Sequence, residues 1–178
     1  MRARPSGSRR PARVAEERAL DPEAAREAAL KLLERTRRTR SDLERRLRDK
    51  GYASAVVTGV IERLTAVGLV DDTEYARAFL AERWGRRAAG WRRLEQELRR
   101  RGIAGDDIDA ARTRFEAERG GAADEVSLAR RVVAQAARRL ATLEPRVRRQ
   151  RLYALLARRG FDSDTIEQAI RGNTGDEQ

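Results

Sequence analysis

Arginine is the residue type in this chain whose number and spacing could do chemistry. Among 178 residues there are 40 Lys and Arg against 29 Asp and Glu, a formal net charge of +11, and Lys31 and Lys50 are the only lysines. A guanidinium is a rigid fork that pairs two-pronged with phosphate or carboxylate. The chemistry on offer is therefore recognition of a polyanion, nucleic acid or an acidic protein surface, rather than the making of bonds. The charge is unevenly placed. Residues 83–101 carry eight arginines against two glutamates, and residues 138–159 carry eight against one. Residues 102–125 have three arginines against seven acids, and 40–50 have five basic residues against three acidic. A GC-rich genome would turn Lys into Arg and raise Ala, but it would not create the net excess.

Candidate contact residues are Arg86, Arg87, Arg92, Arg93, Arg99 and Arg100 in the first cluster, and Arg148, Arg149, Arg158 and Arg159 in the second. Leu94 and Leu98 share one helix face and must look inward, which turns Arg93 and Arg100 outward and leaves Arg92 and Arg99 on the flanks. Trp84 falls in a core register. Trp91 does not; it could stack on a base or a partner side chain, or cover the turn as a lid.

Other chemistry is scarce. The chain has no Cys and no His, which excludes disulfides, thiolate or imidazole metal sites and both common nucleophilic triads. Asp71-Asp72 and Asp106-Asp107-Asp109 stand at expected helix starts, where capping accounts for them better than metal ligation does. No Walker-type phosphate loop is present. No catalytic residue, metal or cofactor is expected. No apolar run is long enough to span a bilayer, and no apolar stretch follows the basic N-terminus as a secretory signal would require. The expected location is cytoplasmic, away from membranes.

The elements that must position these arginines come in three copies. Leu43, Leu47, Gly51 and Tyr52 recur as Leu94, Leu98, Gly102 and Ile103, and again as Leu152, Leu156, Gly160 and Phe161. A further apolar residue follows each glycine by six: Val57, Ile108, Ile166. Leucines four apart stack on one helix face, the glycine turns the chain, and the next apolar residue plugs the corner. The glycines lie 51 and then 58 residues apart, so the third copy has a seven-residue surplus, which must fall before Leu152. Internal repeats of this length indicate a helical array, and a composition rich in Ala, Arg, Glu and Leu agrees.

The expected fold is all-α: an elongated array of three tandem three-helix repeats. Residues 1–20, with Arg2, Arg4, Arg9, Arg10 and Arg13 among Pro, Ser, Gly and Ala, read as a disordered basic tail, either an unstructured leader or an arm making weak phosphate contacts. Repeat 1 spans 21–70, repeat 2 spans 71–118, repeat 3 spans 119–172, and 173–178 is a frayed tail. Asp21-Pro22-Glu23 should open the first helix, Ser41 with Glu44 the second as a capping box, Asp71 with Glu74 the fourth, and Pro145 the eighth. Residues 116–125, with Gly120-Gly121, read as a hinge.

Three stretches carry a family resemblance. Ala29-Leu30-Lys31-Leu32-Leu33-Glu34-Arg35, followed by Arg40-Ser41-Asp42-Leu43 and Lys50-Gly51-Tyr52, resembles the opening of the RecX regulatory family. Gly68-Leu69-Val70-Asp71-Asp72-Thr73-Glu74-Tyr75-Ala76 is similar to that family's most recognisable motif. Arg92-Arg93-Leu94, with Glu97-Leu98 and Arg101-Gly102-Ile103, is similar to its middle-repeat helix. The resemblance covers about residues 22–172. It departs at Ala89-Gly90-Trp91, where family members often have a Gly-x-x-basic turn.

The resemblance implies a non-enzymatic protein of three-helix repeats that binds the RecA filament on single-stranded DNA and limits strand exchange and ATP hydrolysis in DNA repair, recombination and the SOS response. It implies contact with single-stranded and also double-stranded DNA, and the expected state is a monomer. The alternative from another class is a general basic nucleic-acid-binding helical protein with no RecA-specific role.

Overall fold

The computed structural model describes residues 16–84, 88–119 and 124–174. Its regular elements are α1 (Pro22–Leu33), α2 (Arg40–Asp49), α3 (Ser54–Ala66), α4 (Asp72–Arg83), α5 (Trp91–Arg99), α6 (Gly105–Arg119), α7 (Glu125–Leu140), α8 (Pro145–Arg158) and α9 (Ser163–Thr174). The fold is all-α, three tandem three-helix repeats. By backbone proximity the described residues form two compact units. One runs up to Tyr75 and includes Arg101–Ile103; the other holds Ala76–Arg100 and everything from Ala104 on.

The register glycines do what their positions require. Gly51, Gly102 and Gly160 have φ of +90°, +79° and +85°, a conformation in which a Cβ would crowd the following carbonyl. At Gly51 the turn is a Schellman cap: the Tyr52 N–H donates to the Leu47 carbonyl at 3.2 Å and the Gly51 N–H to Arg48 at 2.8 Å. Phe161 and Gly160 repeat it, donating to Leu156 and Ala157. All six register leucines are buried, as are Tyr52, Ile103, Phe161, Val57, Ile108 and Ile166.

Several helix starts fall where expected. Asp21 accepts the N–H groups of Glu23 and Ala24, Asp71 accepts that of Glu74 at 2.8 Å, and Pro145 occupies the first turn of α8, with Glu144 accepting from Val147. Two expectations are corrected. The second helix is capped by Thr39, which accepts the Asp42 N–H at 3.1 Å, not by the Ser41–Glu44 pair; Thr39 is buried and its hydroxyl is held from both sides, so the helix starts one residue before Ser41. Residues 16–20 are ordered rather than part of a disordered tail: 16–19 form a helical turn, and the Ala19 carbonyl accepts the Ala53 N–H at 2.9 Å. The rest of that tail, 1–15, lies outside the described residues, as do 175–178. The expected hinge is helical through Arg119, and its 120–123 stretch is likewise outside.

The repeats differ in what fills them. Repeat 1 is packed with aliphatic side chains around Ala25, Ala29, Leu43, Leu47, Val57 and Ile61, and the Tyr52 hydroxyl donates to the Ala24 carbonyl. In repeat 3, Ala129 and Ala169 are fully buried, and their small side chains let α7 and α9 pack closely. Repeat 2 is built on rings instead. Trp84 and Trp91 lie 4.2 Å apart by centroid, and each meets Phe115 edge-on at 5.8 Å. Its helix backbones consequently approach one another less closely than those of the other two repeats.

Candidate functional site

The middle helix of one repeat docks on the turn of the next, and a pair of bonds at corresponding positions does it in each unit. In the first unit the Thr39 hydroxyl donates to the Arg101 carbonyl at 2.9 Å, and the Arg40 N–H donates to the Asp72 carboxylate at 2.8 Å. In the second unit the equivalent residues repeat the pattern. The Gly90 N–H donates to the Arg159 carbonyl at 2.9 Å, and the Trp91 N–H to the Glu125 carboxylate at 2.8 Å. Asp71 and Asp72 therefore divide the work: the first caps its own helix, the second satisfies the open N-terminus of another. Both hold chain, and among the described residues no group of three or more Asp or Glu is placed to bind a cation.

In the second unit this docking brings backbone against backbone. A Cβ on Gly90 would strike the Gly160 backbone, and a Cβ on Gly160 would come within 2.6 Å of the Arg93 nitrogen. Two missing side chains thus let the start of α5 touch the end of α8, positive helix end against negative. That approach brings together arginines 58 to 66 residues apart. Arg92, Arg93 and Arg100 from α5 and Arg158 from α8 line one groove of about 540 Å³. Its lining carboxylate, Glu97, is already engaged by Arg83 at 3.2 Å and by Arg93 at 3.6 Å. Tyr153, half-exposed, stands in the same wall with its hydroxyl 3.3 Å from the Ser163 hydroxyl. The groove is polar, net positive and open, fitted to a chain of phosphates or carboxylates.

The expected contact residues sort as follows. Arg92, Arg93, Arg100 and Arg158 converge in this groove. Arg158 and Arg159 also line a second groove, between α7 and α8. Arg99 and Arg149 are exposed but line neither, and Arg148 is half-buried. Arg86 and Arg87 lie outside the described residues.

Trp91 is corrected: it is 4% exposed, so it is core and no free stacking platform. Its ring lies against Trp84, the Arg112 guanidinium sits 4.5 Å from its centroid, and Glu125 takes its N–H. The counterpart positions in the other copies, Arg40 and Arg149, are charged and exposed. Tyr153 was missed; its signal was an aromatic residue in an arginine-rich helix at a non-core register. Arg139 and Arg151, both in the second groove, were also missed as individual sites.

Charge compensation separates the repeats. In repeat 1, Asp42 binds Arg38 and Arg46, each at 2.8 Å, and Arg45 as well. Burial would raise the Asp42 carboxyl, but hydrogen bonds from Arg46, Arg38 and Arg45 outweigh it and bring it down to about 2. Arg48 pairs with Glu44, and Arg37 with Glu74. By contrast Arg92, Arg100, Arg151 and Arg158 meet no carboxylate within ion-pair distance among the described residues. Where repeats 2 and 3 join, burial raises the Glu125 carboxyl, and the nearby Asp162 adds to this against the Trp91 N–H and Arg112. Asp162 itself is lowered: burial opposes ionisation, but Thr165 hydrogen bonds and the Arg92 charge prevail.

Comparison with known proteins agrees with this geometry. Family models described as the first, second and third three-helix domains of RecX match residues 25–64, 71–111 and 123–170. The chain is 33% identical over 162 residues to the regulatory protein RecX of Mycolicibacterium vanbaalenii, covering 88% of this chain and 85% of that one. It is 39% identical over 143 residues to that of Mycobacterium tuberculosis, covering 78% and 79%. The crystal structure of RecX from Lactobacillus salivarius superposes with a TM-score of 0.75 at 20% identity, over 85% of this chain and 95% of that one, a likeness of fold. A second crystal structure, of a regulatory protein RecX, gives 0.72 at 25% identity, over 96% and 82%. With three tandem three-helix repeats and relatives matched along most of its length, the chain belongs to the RecX family.

Proposed function

We propose that this protein binds the RecA recombinase filament on single-stranded DNA and restrains its strand exchange and ATP hydrolysis. RecX-family proteins are regulatory and not catalytic, so its action is occupancy rather than chemistry. The observation that carries the reading is the polar groove, where Arg92, Arg93, Arg100 and Arg158 from two repeats face solvent with one carboxylate among them, itself engaged. Four guanidinium forks on a rigid joint suit a polymeric anionic target, because docking holds them in place before the partner arrives. The protein acts as a monomer in the cytoplasm and contacts single-stranded, and more weakly double-stranded, DNA.

The test is RecA ATPase and strand exchange on single-stranded DNA with this protein at substoichiometric amounts. Inhibition well below one molecule per RecA protomer is expected; no effect at any ratio overturns the reading. The groove's polarity also favours a second reading, plain nucleic-acid binding. Pure phosphate binding falls steeply with salt, roughly 0.7 log units per log unit for each phosphate on a single strand, whereas filament binding should retain a salt-resistant part.

A further inference from the structure

The seven-residue surplus of repeat 3 has a structural product. α7 has 16 residues, where α1 and α4 have 12 each. Its added turn carries Arg139 and Leu140 along α8, and the two helices enclose a groove of about 520 Å³. The floor is apolar and half-buried, formed by Ala136, Leu140, Ala154 and Leu155. Arg139, Arg151, Arg158 and Arg159 rim it, no carboxylate lines it, and none of the four pairs with one among the described residues.

The other copies are built differently at the same register. Leu155 stands five residues before its glycine. Repeat 1 has Arg46 there, bonded to Asp42, and repeat 2 has Glu97, bonded to Arg83. Arg151 stands nine before, where repeat 1 has Asp42. The third copy has thus exchanged a closed ion-pair network for an apolar floor under uncompensated arginines.

We infer that this groove docks an acidic amphipathic helix of a partner protein. Its leucine-type side chains cover the floor and its flanking carboxylates meet the four guanidinium groups. A nucleic acid would satisfy the arginines and leave the floor wet; a neutral apolar helix would do the reverse. The inference rests on the groove and not on the filament reading, so peptide binding and strand-exchange inhibition can each fail without the other.

The experiment is fluorescence anisotropy on the full chain, with a labelled synthetic helix of about five turns bearing leucines at i, i+3, i+4 and i+7 and glutamates between. It should bind at least about tenfold more tightly than a scramble of the same composition. The double variant Arg139→Glu, Leu140→Gln should lose about tenfold in affinity with an unchanged melting temperature. Arg92→Glu with Arg93→Glu, in the polar groove, should leave peptide binding intact. Equal binding of the scramble overturns the inference, as does indifference to Arg139→Glu, Leu140→Gln. Displacement of the peptide by oligothymidylate in the Arg92→Glu, Arg93→Glu background assigns the groove to nucleic acid instead. A concentration-dependent dimer abolished by Arg139→Glu, Leu140→Gln assigns it to a second copy.

Discussion

The first repeat and the third are both rich in arginine and use it in opposite ways. Nine residues before each register glycine stand Asp42, Arg93 and Arg151. In repeat 1 that position is an acidic hub holding three arginines; in repeats 2 and 3 it is one more arginine. One exchange of sign turns a closed face into an open one. Repeat 1 spends its charge on itself, and its guanidinium groups are structural. The later repeats leave Arg92, Arg100, Arg151 and Arg158 for something else to neutralise, at a cost in self-repulsion that binding would relieve. Recurrence of the scaffold and divergence of the display are separate layers of the sequence, and only the second bears on function.

The sharpest way to break the comparison is to add one methyl group at equivalent turns. Gly160→Ala combines a left-handed residue with a collision against the α5 backbone, and should cost about 3–4 kcal/mol. Gly51→Ala has the same φ but open space around the Cβ, and should cost about 1–2 kcal/mol. Urea denaturation of both variants measures the gap. Equal losses would mean that the Gly90–Gly160 approach is not a tight joint.

Next comes the display itself. Arg93→Asp with Arg100→Asp, both in the polar groove, installs the repeat 1 residue in repeat 2 and removes a second guanidinium beside it. It should weaken binding to single-stranded DNA or the filament at least tenfold, about 1.4 kcal/mol or more, while leaving the melting temperature within a few degrees. Anisotropy against labelled oligothymidylate, with and without RecA, reads it. Unchanged affinity would mean that the polar groove is not the contact face.

Asp42→Asn makes the reciprocal cut and should move stability instead of binding. The folded carboxyl lies at about 2, against an ordinary value of 3.8. A lowered pKa stabilises above the unfolded value, and that contribution fades as pH falls from about 4 towards 2. The loss at pH 7 should be about 1–2 kcal/mol, reduced by the hub's partial exposure. Stability measured against pH in the wild type and the asparagine variant should converge below pH 2. Parallel curves would show that the ion pairs contribute nothing.

Much of the scaffold was legible because it is local. Leucines four apart, a glycine at a left-handed turn and an Asp or Pro at a helix start each act over a few residues, and three copies averaged out the noise. Trp91 was misread because its burial depends on Trp84, Phe115 and Glu125, the last contributed by the next repeat, and no spacing rule reaches that far. The Ser41 cap was misread because Thr39 gains a second bond from the distant Arg101 carbonyl. Charge clusters announced a face but not its grooves. Arg92 and Arg158 meet because two glycines allow two backbones to touch, and Leu155 matters only beside the extra turn of α7.

The smallest effect concerns the two joint carboxylates, Asp72 and Glu125, which do the same job in the two units. Glu125 is largely buried and lies beside a second acid, Asp162, with Arg112 and Arg92 as the neighbouring positive groups. Glu125→Gln keeps an oxygen for the Trp91 N–H and removes the repulsion, so at pH 7 it should be neutral or stabilising by up to about 0.5 kcal/mol. Glu125→Ala removes the acceptor and should cost about 1 kcal/mol. The sign with pH follows from the raised folded value. Below it the native state holds the extra proton more tightly than the unfolded chain, so the wild type gains stability as pH falls from neutral towards its ordinary value of 4.5, and loses it as pH rises. The advantage of the glutamine variant should therefore shrink between pH 7 and pH 5 in paired thermal melts. An advantage that grew on acidification would mean that the folded Glu125 carboxyl lies below its ordinary value, held ionised by the Trp91 N–H and Arg112.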